Sequence, residues 1–457
     1  MKEIFVDIKH LNLHYRQKAV LQDLDWTIRR GDNWVLGGVS GSGKTSLAKA
    51  IVKEEKFLGD ISINFDLNSS LPAQVLFVSS WYQFKNLEGD ANFYYQQRYN
   101  HKQAKDTLTV QAELAKYGKE QNLAIAEVSR LLSALNFSTF KDSQLIELSS
   151  GEHKKLQLIK ALWLKPQLLV IDQPYTGLDV ASRQNLNELL DEITNQGVSL
   201  LLISNDEELP ANINRFAIIE NGQIHERSSF ESTSIVHHKI LGALPRFLTE
   251  RPVYLTDEII SMKNVNIRYG EKEVLKNVNW EVKAGEKWLL QGHNGSGKST
   301  LLSLINGDHP QAYANDIHLF GHKRGSGESI WDIKKRIGLI SPEFHWYFDH
   351  SATVWESIAS GFYDSVGLFQ HIPYSKKIQL EELIEYFDLK QDKNELLRTL
   401  PLGKQRLVLL ARTIIKNPQL LILAEPCQGL DLQQTQHFNQ LVNELSNNGM
   451  TMIYVGH

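Results

Sequence analysis

Two octapeptides in this chain have the residue types needed to wrap a polyphosphate. They are Gly38-Val39-Ser40-Gly41-Ser42-Gly43-Lys44-Thr45 and Gly292-His293-Asn294-Gly295-Ser296-Gly297-Lys298-Ser299. Both fit the pattern G-x-x-x-x-G-K-[ST]. The glycines let backbone N–H groups turn inward at the start of a helix, whose dipole favours anions. Ser40 and Asn294 add polar groups inside the two loops, and Ser46 and Thr300 follow directly behind them. In such a loop Lys44 or Lys298 reaches the β- and γ-phosphates of ATP, while Thr45 or Ser299 holds Mg²⁺. The plainer alternative is a glycine-rich turn ending in an exposed lysine. A chance match arises at roughly one position in ten thousand, and two matches in parallel surroundings make that alternative remote.

The loops are landmarks of an internal repeat. Tyr15 precedes Lys44 by 29 positions, and Tyr269 precedes Lys298 by 29. Ser149 lies 23 before Asp172 and Pro401 lies 23 before Ala424; Asp172 lies 33 before Asn205 and Ala424 lies 33 before His457. A phosphate loop needs a strand before it and a helix behind it. Val35-Leu36 and Trp288-Leu289-Leu290 are the strands expected there, and 46–52 and 300–305 the helices. Leu168-Leu169-Val170-Ile171 and Leu420-Leu421-Ile422-Leu423 are continuous apolar runs, as in strands buried on both faces. Residues from about 100 to 145 and from about 352 to 398 read as helical and separate the motif groups within each copy. The fold class is α/β, with two tandem P-loop nucleotide-binding domains, largely parallel sheets and a helical subdomain in each. The first domain is placed at 1–235, ending after a turn at Asn221-Gly222 near Phe230. A linker through Pro245 and Pro252 is placed at 236–257, and the second domain at 258–457.

The motif order is phosphate loop, LS-x-G-type segment, apolar strand ending at an acidic position, Gly-Leu-Asp, then a strand ending in His. It resembles the ATP-binding cassette (ABC) ATPases over almost the whole chain, twice. The resemblance implies ABC-type cassettes that meet head to tail, each nucleotide lying between one phosphate loop and the other cassette's signature segment. With both on one polypeptide, it implies intramolecular pairing, with ATP and Mg²⁺ as ligands. A narrower likeness lies in Leu319-Phe320-Gly321-His322-Lys323-Arg324-Gly325-Ser326-Gly327-Glu328-Ser329-Ile330-Trp331-Asp332-Ile333-Lys334-Lys335 and in Gly177-Leu178-Asp179-Val180-Ala181-Ser182-Arg183. Both are similar to the ModF-type group of soluble twin-cassette ATPases, associated by name with molybdenum transport and photorepair. A link to molybdate uptake is the expectation this carries.

The resemblance also assigns roles and exposes departures. Tyr15 and Tyr269 stand where the family stacks an aromatic ring on adenine; for a lone tyrosine, core packing is the alternative, and the equal spacing favours stacking. In Ile171-Asp172-Gln173-Pro174 the Mg²⁺-side carboxylate is Asp172, but Gln173 occupies the place of the catalytic glutamate, and Asn205 that of the switch histidine. An amide cannot take a proton from water, and losing a general base costs roughly 10²–10⁴ in rate. In Leu423-Ala424-Glu425-Pro426 the glutamate is Glu425 and the switch residue His457, the two assigned catalytic residues, while Ala424 has replaced the aspartate. Loss of a partner that acts on the metal through water costs about 10–100-fold. The first signature, Leu148-Ser149-Ser150-Gly151-Glu152, keeps hydroxyls and a glycine for the opposite γ-phosphate. The second, Leu400-Pro401-Leu402-Gly403-Lys404, keeps Gly403 but has Pro401, a good first helical residue, in place of the hydroxyl. Lys404 is either a cation near phosphate or a solvated lysine, the latter favoured. Head-to-tail pairing therefore leaves the Lys44 site without base, switch and signature, and the Lys298 site without one carboxylate.

Composition narrows the remaining classes. The chain has 457 residues, 42% apolar and 22% charged, and a net charge of −4, which argues against a nucleic-acid-binding surface along its length. The single cysteine, Cys427, rules out an internal disulfide and suits a reducing cytosol. No apolar run reaches the ~18–20 residues of a membrane span, so a cytoplasmic protein is expected, peripheral at the inner membrane face where a permease is its partner. The glutamine that couples transport cassettes to a permease is replaced by Ser80 and Pro342, with Gln83 and Glu343 nearby but out of register. This weighs against a conventional transporter subunit and leaves another cytosolic partner open. Family members continue past the position of His457, so further C-terminal elements are expected beyond it. The leading expectation is slow ATP hydrolysis, mainly at the Lys298 site; the alternative is a nucleotide-binding clamp with negligible turnover.

Overall fold

The computed structural model describes residues 3–15, 18–80, 107–229, 243–250, 254, 256–269, 272–293, 295–341, 348, 351–427, 430 and 432–456. Asn294, His457, Gln83, Pro342, Glu343, Pro252 and the domain end near Phe230 lie outside the described residues. The chain divides into two compact units that follow the two copies.

The first unit begins with β1 (Ile4–Tyr15), β2 (Lys18–Arg29), β3 (Trp34–Gly37), β4 (Leu58–Ile63) and β5 (Val75–Val78). It continues with β6 (Leu168–Asp172), β7 (Ser199–Ile203), β8 (Arg215–Glu220) and β9 (Gln223–Arg227). Strands β2-β1-β4 form an antiparallel sheet, and the other six order as β5-β6-β7-β3-β8-β9, parallel except for β9. All four residues of β3 and all five of β6 and β7 are buried, as central strands covered on both faces must be. The helix Lys44–Ile51 starts two residues earlier than its apolar spacing indicated, and buries Leu47, Ala48 and Ile51 against Phe5, Leu11, Val170 and Leu201. Helices Val110–Glu120 and Ile125–Ala134 make the helical subdomain. Ion pairs Lys160–Glu113 and Lys165–Glu127 join it to the long helix Ser150–Leu164.

The second unit contains β10 (Glu258–Tyr269), β11 (Lys272–Lys283), β12 (Lys287–Gln291) and β13 (Asp316–Leu319). It also contains β14 (His322–Lys323), β15 (Ile337–Ile340), β16 (Leu420–Ala424) and β17 (Thr451–Gly456). Strands β11-β10-β13-β14 are antiparallel and β12-β17-β16-β15 parallel. The phosphate-loop helix is Lys298–Ile305, and helices Val354–Ala359 and Tyr374–Tyr386 lie in the helical region. Part of the segment between the copies seats in this unit. Leu248, in the turn Arg246–Thr249, is buried against the core that holds Ile358, Leu383 and Leu445. The Tyr254 hydroxyl lies 3.1 Å from the Gln419 and Gly449 carbonyls and accepts from Thr451 N–H at 3.0 Å. Each copy also has an edge-to-face tryptophan pair ahead of its phosphate loop, Trp26–Trp34 in the first and Trp280–Trp288 in the second. Trp34 is 2% exposed, whereas Trp288 is 39% exposed.

Candidate functional site

Both phosphate loops leave the end of a parallel strand and enter a helix through a left-handed glycine. Gly43 has φ 108° and Gly297 φ 93°, a region that favours residues without a Cβ. The first loop curls around its own lysine: Lys44 Nζ donates to the Gly38 carbonyl at 2.6 Å and to the Val39 carbonyl at 2.7 Å. Lys298 does the same with the Gly292 and His293 carbonyls. Gly41 and Gly295 take φ 81° and 79° at matching places. An ammonium seated on such a ring of carbonyls stands where it can swing onto entering phosphates.

Behind the loops the copies differ. In the first, Thr45 Oγ1 donates to Asp172 Oδ2 at 2.7 Å, and Ser80 Oγ reaches the same oxygen at 3.4 Å. Asp172 is 1% exposed, and its Oδ1 has no hydrogen-bond partner among the described residues. Burial pushes its carboxyl up, against the opposing pull of the Thr45 hydroxyl and of the Lys154 and Lys44 charges. One carboxylate with an open oxygen beside one hydroxyl fits Mg²⁺, which takes few protein oxygens and completes its shell from phosphate and water. In the second copy Ser299 has no side-chain hydrogen bond among the described residues, and β16 ends in the methyl of Ala424.

The next residue is left-handed in both copies, with φ 49° at Gln173 and 46° at Glu425. Their N–H groups donate to Ile203 and Val455 carbonyls at 2.9 and 3.0 Å. A non-glycine residue in this region costs of order 1–3 kcal/mol, and its recurrence marks a backbone bend that fixes where the side chain leaves the strand. Asn205 closes on the phosphate loop from the end of β7. Its Oδ1 accepts from Gly38 N–H at 3.1 Å, and its Nδ2 donates to the Gly38 carbonyl at 3.1 Å.

The aromatic pair is anchored from below. Tyr15 hydroxyl donates to Glu55 Oε2 at 2.9 Å and lies 3.2 Å from Ser46 Oγ on the phosphate-loop helix. Tyr269 hydroxyl lies 2.8 Å from His309 Nε2. Since His309 Nδ1 accepts from Gln311 N–H, its Nε2 carries the proton and donates to Tyr269. Neither anchor was picked out in the sequence. Both lie 40 residues after their tyrosine, and that shared spacing was the signal available.

The signature Ser149 caps the helix Ser150–Leu164. Its Oγ accepts from Glu152 N–H, and Glu152 Oε2 accepts from Ser149 N–H at 2.8 Å. Gly151 allows a close approach, for a Cβ there would lie 2.2 Å from the Gly177 carbonyl oxygen. Ser150 opens the helix beside it. In the second copy, Pro401 stands one place outside the helix Leu402–Ile414, at φ −54° and ψ 145°, and not as its first residue. A proline there fixes an extended entry without demanding a capping N–H. Gly403 faces the Gln434 side chain. Lys404 is paired with Asp392 and so is not freely solvated.

Comparison with known proteins follows the same division. A profile of the ABC transporter family matches residues 21–176 and again 275–428. The chain is 33% identical over 451 residues to the ABC transporter ATP-binding protein ModF of Escherichia coli (strain K12), covering 94% of this chain and 89% of that protein. It is 30% identical over 451 residues to an ABC transporter ATP-binding protein of Schizosaccharomyces pombe, covering 96% and 91%. Among solved structures, archaeal ribosome recycling factor aABCE1 in complex with ribosomal stalk protein aP1 shares the fold. The TM-score is 0.53 at 16% identity, over 98% of this chain and 84% of that one.

Proposed function

The chain belongs to the ABC transporter ATP-binding family, and from that premise we propose that it is a twin-cassette ATPase with two unequal Mg-ATP sites. The sites form head to tail between its own cassettes. Hydrolysis runs mainly at the site built from Lys298, Ser299 and Glu425 with the signature Ser149-Ser150-Gly151. The other site, on Lys44, Thr45 and Asp172, binds ATP and retains it. One observation carries this reading: the two copies share the same left-handed bend, but only the second puts a carboxylate on it. Glu425 can take a proton from water there; Gln173 cannot. Retention at the first site follows from Asn205, whose amide holds both the N–H and the carbonyl of Gly38 and so pre-forms the loop.

Ser299, lacking the carboxylate that Thr45 has, favours a second reading, a nucleotide clamp with negligible turnover. Substituting each phosphate-loop lysine separates the two. Lys298→Ala is expected to lower steady-state Mg-ATP hydrolysis at least about tenfold more than Lys44→Ala. Equal effects, or a larger one from Lys44→Ala, would sink the unequal assignment; ATP binding with no turnover above background would establish the clamp. The ModF likeness supports a place for the protein beside molybdate uptake, in the cytoplasm or at the inner membrane face. Among the described residues no helix is long and apolar enough to cross a membrane. A permease or another cytosolic protein is the partner in this reading, and nucleic acid is not.

A further inference from the structure

The second copy leaves a cavity of about 440 Å³ at the edge of its parallel sheet opposite the phosphate loop. Lys335 stands just before β15, and Lys416 and Asn417 just before β16, whereas the loop follows the exit of β12. Phe362, with Lys376 and Gln379 of the helix Tyr374–Tyr386, forms a second wall. Phe247 and Glu250, from the segment between the copies, form a third. Asn417 Nδ2 pins that segment to the rim, donating to the Phe247 and Glu250 carbonyls at 3.2 and 3.4 Å. Three lysines therefore line the cavity with one carboxylate. Lys416 is already matched, since its ammonium donates to the Lys334 carbonyl at 2.6 Å and pairs with Asp364. Lys335 and Lys376 have no ion pair among the described residues. Lys376 lies over the Phe362 and Tyr363 rings, 4.8 and 4.7 Å from their centroids.

The repeat shows that this space is not a requirement of the fold. In the register that pairs Ser149 with Pro401, Lys165 pairs with Asn417, and both have left-handed backbone, with φ 51° and 47°. The two residues ahead of them differ. Trp163 and Leu164 of the first copy stand where Ile415 and Lys416 stand in the second. Trp163 is 1% exposed and donates to the Ala124 carbonyl at 3.2 Å. Gly118 makes room for it, for a Cβ there would lie 2.6 Å from the indole. Lys165 is paired with Glu127. The first copy thus packs this ground and neutralises its lysine, while the second leaves a space of small-molecule size and two unmatched ammonium groups. We propose that the cavity binds a small phosphate ester carrying a planar ring. Lys335 and Lys376 supply two charges for a dianion, and Phe247 and Ile415 supply apolar surface for the ring. Its occupant joins the segment between the copies to the helical region and to the base of the sheet. The inference is independent of which phosphate loop turns over ATP.

The test is calorimetric titration of the full chain with phenyl phosphate, in saturating Mg-ADP so that neither phosphate loop is open to the probe. Saturable binding is expected, about tenfold tighter than that of inorganic phosphate because the ring leaves water. The double variant Lys335→Gln/Lys376→Gln is expected to weaken it about tenfold or more, and Glu250→Gln to tighten it about threefold by removing the one opposing charge. Lys263→Gln, at an exposed lysine on β10, should stay within about twofold of the parent. Gln379→Trp fills the cavity from a half-buried position on a helix and is expected to abolish binding without removing a charge. Absence of saturable binding would leave the lysines merely solvated and overturn the proposal. So would equal binding of phenyl and inorganic phosphate, or an affinity unchanged in a folded Lys335→Gln/Lys376→Gln or Gln379→Trp protein. Thermal melting of each variant shows which are folded, and the two act through different side chains, so failure of one to fold leaves the other decisive.

Discussion

Glu425→Gln is expected to lower Mg-ATP turnover at least about 100-fold while changing nucleotide affinity by no more than about threefold. The substitution replaces one carboxylate oxygen with an amide nitrogen and keeps the size of the side chain. Its compatibility with the fold is already visible in the same molecule. Gln173 occupies the corresponding position with φ 49°, against 46° at Glu425, and makes the matching backbone bond to the neighbouring strand. The variant therefore removes a proton acceptor at nearly constant side-chain size. A rate that survives the change would move hydrolysis away from the second loop. A large loss of affinity would instead assign Glu425 to the metal, as a stand-in for the carboxylate absent at Ala424. Steady-state phosphate release and equilibrium binding, measured on the same preparation, distinguish the three outcomes.

Restoring that carboxylate is the complementary experiment, with a gain in place of a loss. Ala424→Asp is expected to raise turnover, or to lower the Mg²⁺ concentration needed for it, by about 10–100-fold. The first copy supplies the template: Thr45 Oγ1 meets Asp172 Oδ2 at 2.7 Å from the same strand end. Ser299 corresponds to Thr45 in the repeat and has no side-chain partner among the described residues. The position is 8% exposed, so the new carboxylate enters ground that disfavours its charge. If turnover and Mg²⁺ requirement stay unchanged in a folded Ala424→Asp protein, Ala424 is not what limits the second site.

The parts of this architecture visible in the sequence were those written in spacing. Equal intervals from Tyr15 to Lys44 and from Tyr269 to Lys298 align the copies, and the apolar runs at Leu168 and Leu420 mark the central strands. Side-chain partners were less accessible, because they depend on which way a residue faces. Glu152-His153-Lys154-Lys155 is a run of polar and charged residue types, yet all four are buried. They can be, since Lys154 finds two carbonyls and Lys155 finds the Ser182 hydroxyl at 2.6 Å. Asn205 illustrates the same limit. Its place at a strand end was readable, but its two-sided grip on Gly38 depends on β7 lying directly beside β3. Pro401 differed by one position, because a helix boundary is settled by the dihedral angles of the entering residue more than by its preference for the first turn.

The unequal tryptophan pairs have a practical consequence of another kind. Trp34 and Trp288 hold corresponding places before the two phosphate loops, one sealed in the core and one open to water. An indole in the core is shielded from dissolved iodide or acrylamide, and one at the surface is not. A variant that keeps only these two of the chain's nine tryptophans would therefore carry one optical label for each copy, the two distinguished by quencher access, without any dye attached.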